Sequence, residues 1–189
     1  MWPWDHVAAG YLLLSALHRL GWRRPPSRRA AVVVAGAAVL PDLIDKPLSW
    51  WLAVLPSGRS LGHSLLVALP LVAVVAAVGL STERRSVALA FGAGYLSHLA
   101  GDVAYPLLVK GELRVGFLLW PLVPADSSGA GGGLPYLTDL VDDFIGFLST
   151  PAGALYAAAD LTLLGLALLA WVVDGRTAKP HAGSTVEDG

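Results

Sequence analysis

The chain contains no cysteine, which rules out disulfides, thiolate zinc sites and cysteine nucleophiles and leaves the redox compartment open. Charge is scarce as well. Only 14% of the 189 residues are charged, against roughly 25% in an average globular chain. The formal net charge of -1 gives no electrostatic footprint for a nucleic-acid partner. What fills the chain is apolar: 55% of residues are hydrophobic, and mean hydropathy is +0.62. A single domain of this length could bury a core in water, but this composition points to a lipid bilayer as its surroundings. With thiolates absent, any bound metal must be held by nitrogen and oxygen.

Five apolar segments can be drawn, at about 5–20, 30–44, 64–80, 86–109 and 151–173. A hydrocarbon core takes about 20 helical residues, with ~17–25 in use. The last three segments meet this. The first two are short and would cross thinned lipid or pair as a shallow hairpin. The expected fold is all-α: a polytopic helical membrane protein of about five apolar helices, in one domain over residues 1–173. The first segment carries its arginines after the apolar run and reads as a retained helix. Residues 110–150, with FLLWPLVP, SSGAGGG and the acidic amphipathic LTDLVDDF, read as a flexible outer loop able to cover part of a site. Residues 174–189 read as a polar, disordered cytoplasmic tail.

Basic residues set the expected orientation. Arg19, Arg23, Arg24, Arg28 and Arg29, then Arg84 and Arg85, then Arg176 and Lys179 all fall on one side of a five-span chain. That side should be cytoplasmic, with the N-terminus outside, the C-terminus inside, and the whole in a cell (inner) membrane. Trp2, Trp4, Trp50, Trp51 and Trp120 gather near the opposite side, as an interfacial aromatic belt would.

The same outer side collects six ligand-type side chains from four segments: His6, Asp42 and Asp45 in LPDLID, His63 in RSLGHS, and His98 with Asp102 in SHLAGD. Histidine and carboxylate are the donors of zinc, with manganese or magnesium favoured as carboxylates increase. His98 and Asp102 are spaced i, i+4 and share a helix face. Asp42 and Asp45 lie between Pro41 and Pro47, whose backbone restraint favours a turn at the outer mouth. Arg59 offers a guanidinium suited to a phosphate or carboxylate oxygen, and Ser64 can cap the third segment. Each motif alone has a bland reading: a His–Asp pair that locks helix packing, an acidic helix end, an interfacial histidine, a solvated loop arginine. Their agreement on one face is what favours a metal site. His18 and His181 lie elsewhere and serve as controls. Asp160 is a further acid within the fifth segment, fit to orient a ligand histidine or to pair with another polar group.

His6 followed by Gly10, LPDLID, RSLGHS, SHLAGD and the hydrophobic-WP step LLWPL together resemble the bacterial and archaeal membrane-bound metal-dependent hydrolases. The resemblance spans about two thirds of the chain. It implies His6, Asp42, Asp45, His63, His98 and Asp102 as metal ligands, with Arg59 and Ser64 flanking. Two positions depart from that pattern: Gly58 precedes Arg59 with Ser60 after it, and Lys46 stands where a histidine often follows the acid motif. A more distant similarity is to the zinc-dependent phospholipase C and P1-nuclease group, which implies phosphoester chemistry. Asp139, Asp142 and Asp143 are the nearest acids after Asp102 that could extend a cluster. The expected function is a membrane-embedded hydrolase in which a metal-activated water attacks an ester or phosphoester of a lipid or other amphiphile. Asp42 would act as ligand or general base, and Arg59 would steady developing negative charge. The alternatives are a metal- or proton-coupled transporter and a non-catalytic membrane protein.

Overall fold

The computed structural model describes residues 1–125 and 129–177. The described residues form six α-helices: α1 (Pro3–Trp22), α2 (Arg28–Lys46), α3 (Leu65–Ser81), α4 (Arg85–Lys110), α5 (Gly133–Leu148) and α6 (Pro151–Thr177), with longer connections after α2 and α4. A π-helical turn, Pro47–Trp51, extends α2, and a 3-10 turn covers Gly116–Leu119. No strand occurs among the described residues. Residues 126–128 and 178–189, which hold part of SSGAGGG, His181, Lys179 and most of the expected tail, lie outside them.

Local chemistry sets the helix starts. Pro3 opens α1, where its missing N–H has no partner to lose, and Asp5 accepts the Trp2 N–H at 3.0 Å. Ser27 caps α2 through the Ala30 N–H, and Ser64 caps α3 through the Leu66 N–H, each at 3.2 Å. Gly111, at φ +68°, ends α4. Pro41 does not turn the chain. α2 runs through it to Lys46, so Asp42 and Asp45 both sit in the last turns of a helix.

The centre of the bundle is the α2–α4 crossing, with α1 against both and α3 against the other side of α4. Tyr11, Leu14, Ala30, Val34, Ala90 and Ala93 pack between α1, α2 and α4, and Ala68, Tyr95 and Leu99 between α3 and α4. The crossing is tight because Gly94 has no side chain: a Cβ there would lie 2.5 Å from the Val34 carbonyl oxygen. α6 leans on α1 and α5. Leu161, Leu166, Leu168, Leu169 and Trp171 leave it apolar and exposed all round, which suits lipid and not water.

The expectation of about five membrane-crossing helices is corrected. Two helices, α4 with 26 residues and α6 with 27, are long and apolar enough to cross a bilayer. The apolar α3 stops at 17 residues. α1 carries Asp5, His6, His18 and Arg19 within its length, and α2 carries Arg28, Arg29, Asp42, Asp45 and Lys46. These charges shorten the apolar runs, and the residues facing inward are buried against α4 instead of lipid. The expected outer loop is also not without structure. Its acidic amphipathic piece is the 16-residue α5, held to the bundle by aromatic contacts of Trp2 with Phe144 and Trp50 with Tyr136. The last helix continues past Val173 to Thr177. Asp174 is buried there, accepting hydrogen bonds from Tyr11 Oη, Ser15 Oγ and Arg19.

Candidate metal centre

The end of the bundle formed by the start of α1, the end of α2, the loop before α3 and the C-terminal half of α4 holds all six ligand-type residues. All six are buried. Asp45 organises the loop. Its two oxygens accept the backbone N–H groups of Ser60 (2.7 Å), Gly62 (2.8 Å) and His63 (3.3 Å) and contact His63 Nδ1 at 2.8 Å. Gly62 permits this, since a Cβ there would come within 3.0 Å of the Pro41 backbone. Tyr95 Oη donates to the Gly62 carbonyl at 2.7 Å and ties the loop to α4. The loop is thereby wrapped around a carboxylate whose Oδ2 meets three of the loop's polar atoms.

His98 is fixed in the same manner, its Nδ1 lying 2.7 Å from the Ala38 carbonyl oxygen. A carbonyl can only accept, and the Asp45 carboxylate is an acceptor to its other partners, so both histidines carry a proton on Nδ1. Their Nε2 atoms then face each other across 3.0 Å. Two lone pairs at that distance repel unless a cation or a further proton lies between them. Asp42 Oδ1 is 3.5 Å from His63 Nε2 and 3.9 Å from His98 Nε2, and Asp102 Oδ2 is 3.5 Å from His63 Nε2. A tetrahedral ion with bonds of ~2.0–2.1 Å sets its donors roughly 3.3 Å apart. His63, His98 and Asp42 therefore present donors at the spacing of one divalent ion's ligand shell, with Asp102 beside His63.

His6 stacks on His98 at a centroid distance of 3.8 Å and lies with Nε2 3.4 Å from Asp102 Oδ1. Both its ring nitrogens are buried without a hydrogen-bond partner. A buried imidazole with neither nitrogen hydrogen-bonded is uncommon and leaves both nitrogens available to a further group. His6, His98 and Asp102 form a second candidate donor group, joined to the first through His98 and Asp102.

Two cations close the mouth. Arg59 Nε contacts Asp102 Oδ2 at 2.8 Å, and Lys46 Nζ contacts Asp42 Oδ2 at 2.6 Å. Both side chains are partly exposed, at 38% and 28%, so each keeps donors free for solvent or a ligand. Phe117 lies against His63 and under the Arg59 guanidinium, and Ser64 Oγ donates to the Trp120 carbonyl at 2.5 Å. The 3-10 turn is thus drawn over the site. In His63, burial opposes the charged ring, but hydrogen bonds with Asp102, Asp42 and Asp45 outweigh it and push the pKa up to about 10.

The sequence pattern missed several participants. Asp5 is buried beside His6, accepts from Tyr156 Oη at 3.0 Å and neighbours Asp160. Asp160 therefore meets another acid, not a ligand histidine. The i, i+4 spacing of Tyr156 and Asp160 on α6 is the signal that could have marked this contact. The cations on Asp42 and Asp102 were not foreseen; for Lys46 the i, i+4 spacing from Asp42 was available. His18 contacts Ser86 Oγ at the opposite end of the bundle, and Asp139, Asp142 and Asp143 lie on α5, outside both donor groups.

The YdjM inner membrane protein family matches residues 1–178, nearly the whole chain, and the protein belongs to that family. It is an inner-membrane protein of helical architecture. No curated protein and no solved structure matches it.

Proposed function

We propose that the protein is a membrane hydrolase whose divalent metal, most simply zinc, is held by His63, His98 and Asp42 at the outer end of the bundle, with Asp102 and His6 adjoining. One observation carries this reading. Two buried histidines, each with Nδ1 committed to an acceptor, aim their Nε2 atoms at the same point as the Asp42 carboxylate. Histidine–carboxylate and histidine–carbonyl bonds of this type orient metal ligands and raise their basicity. Asp45 belongs to this support and not to the ligand set. Asp102 can bridge toward a second ion at His6, since its two oxygens face different histidines. The resemblance to membrane-bound metal-dependent hydrolases rests on the same residues.

A bound divalent ion would supply Lewis acidity and lower the pKa of a water molecule toward ~7. The chain's own residues would do the rest. Asp42, Asp45 and Asp102 are set against Lys46 and Arg59, with the Met1 amino group also 3.5 Å from Asp102 Oδ1, so a divalent ion would leave the site with at least one positive charge. The loaded site then favours an anion. Arg59 and Lys46 present donors at its mouth, fit to hold phosphoryl oxygens, with Lys46 also placed to give a proton to a leaving oxygen. A site at this level of a bilayer selects an amphiphile, and a phosphoester lipid meets both demands. The arginine distribution favours an outward-facing site with the N-terminus outside and the C-terminus cytoplasmic.

The test is metal content by mass spectrometry in protein purified without chelators, for the native chain and for His63→Ala and His98→Ala. Stoichiometric zinc or manganese that is lost in both variants is expected. Absence of metal from the native protein, or content unchanged by both substitutions, overturns the proposal. Proton flux that needs no metal and disappears in Asp160→Asn would favour the transporter reading instead.

A further inference from the structure

A second feature lies away from the metal centre. α6 packs on α1 without closing on α2, and the gap is a groove of about 1000 Å³ floored by α1 and walled by α2 and α6. Its walls are apolar, with Val32, Ala35, Leu164, Leu168 and Trp171 among them. A gap this large in a membrane protein does not stay empty. Exposed apolar side chains along α6, among them Leu161, Leu168 and Leu169, make an acyl chain the fitting occupant.

The charges say what fills it. Arg28 and Arg176 stand at one end of the groove, the end opposite the histidine cluster, and neither forms an ion pair among the described residues. Asp174, the carboxylate at that end, is buried and taken by Arg19, Tyr11 and Ser15, so it does not neutralise them. The other end is marked by Trp4. From Leu164 to Arg176 the wall runs ~18 Å along α6, close to the ~15 Å half-thickness of a hydrocarbon core.

We propose that this groove binds one anionic glycerophospholipid, with acyl chain between α2 and α6 and headgroup phosphate on Arg28 and Arg176. Basic pockets between membrane helices bind anionic headgroups by this combination of charge and depth. The lipid would complete the packing of α6, which otherwise touches the bundle along one side. This site is independent of the metal chemistry.

The test is native mass spectrometry of the full-length protein, delipidated and then titrated with phosphatidylglycerol or phosphatidylcholine. One phosphatidylglycerol should bind tightly. Arg28→Gln with Arg176→Gln should weaken it about thirtyfold, two arginines each contributing near the membrane-surface value. Ala35→Trp, which fills the groove without altering charge, should abolish it, with metal content unchanged in both variants as a check on folding. If the double variant does not fold, Arg176→Gln alone decides, with about fivefold weakening expected. Equal binding of the two lipids, or phosphatidylglycerol retained at native affinity in the foldable charge variant and in Ala35→Trp, overturns the proposal. So does a lipid-free dimer that Ala35→Trp dissociates, which would assign the groove to a second copy.

Discussion

Asp45 meets His63 Nδ1 at 2.8 Å while its oxygens also accept three backbone N–H groups of the following loop. One carboxylate therefore fixes both the path of the loop and the direction of the histidine's other nitrogen. Asp45→Asn keeps the size but turns an NH₂ group toward groups that donate. Metal affinity should fall about 10–100-fold, the range for groups that support a ligand from behind. Competition with a chelator of known affinity measures it. Undiminished affinity would mean that the Asp45–His63 contact does not serve a metal.

The pH behaviour of the metal-free protein follows from His63. Its folded pKa of about 10 lies above the ordinary value of 6.5. Such a group stabilises the fold fully below the unfolded pKa, and that stabilisation declines as pH rises and is gone above the folded one. Chelator-treated protein should therefore melt at a lower temperature at about pH 10.5 than at about pH 7. On the proposed reading a metal ion would replace the proton on His63, so protein incubated with zinc should lose less across the same range. Thermal melts of both forms at the two pH values decide the matter.

Arg59 and Lys46 should separate ligand binding from metal binding. Lys46 sits on the Asp42 oxygen that does not face the histidines, and Arg59 sits on Asp102 Oδ2, outside the Asp42–His63–His98 donor group; as cations, neither would itself ligate the ion. Arg59→Gln and Lys46→Gln should keep metal stoichiometric while weakening inorganic phosphate about tenfold or more, as expected on removing a charged hydrogen-bond donor. Calorimetric titration of the metal-loaded variants reads this out. Loss of metal in step with phosphate would show that the two cations shape the site and do not bind the anion.

Gly94 couples the crossing of α2 and α4 to the site. Gly94→Ala places a Cβ against the Val34 carbonyl and the Ala38 backbone nitrogen, and Ala38 also supplies the carbonyl that orients His98. Parting the helices should cost about 1–3 kcal/mol of stability and reduce metal affinity as well. Equilibrium denaturation together with metal analysis tests the pair of effects, and a loss of stability with metal affinity intact would uncouple them.

Much was legible in the sequence because helix periodicity and segment ends are local. His98 and Asp102 share a face by their spacing alone, and the ends of the apolar runs put His6, Asp42 and His63 near them. What could not be read were relations between partners distant in the chain. The spacing of Asp42 and Asp45 treats them alike, yet one oxygen of Asp42 faces two histidines while Asp45 turns to the loop. Composition counted five apolar segments, but whether a segment meets lipid or protein depends on its neighbours. α1 and α2 direct buried polar groups toward α4, and α6 does not.

The sequence by itself determined an all-helical chain for an apolar medium, without thiol chemistry, and with imidazoles and carboxylates placed at one end of its helices. Hydropathy and residue type are enough for that, since they act through the solvent and the helix repeat. Only the tertiary structure decided which carboxylate orients a histidine and which faces the shared point, where Arg59 and Lys46 come to rest, and that α6 leaves a groove beside α2. Those outcomes depend on hydrogen bonds and helix crossings whose energies fall off within a few ångströms, and only the folded chain brings such partners within reach.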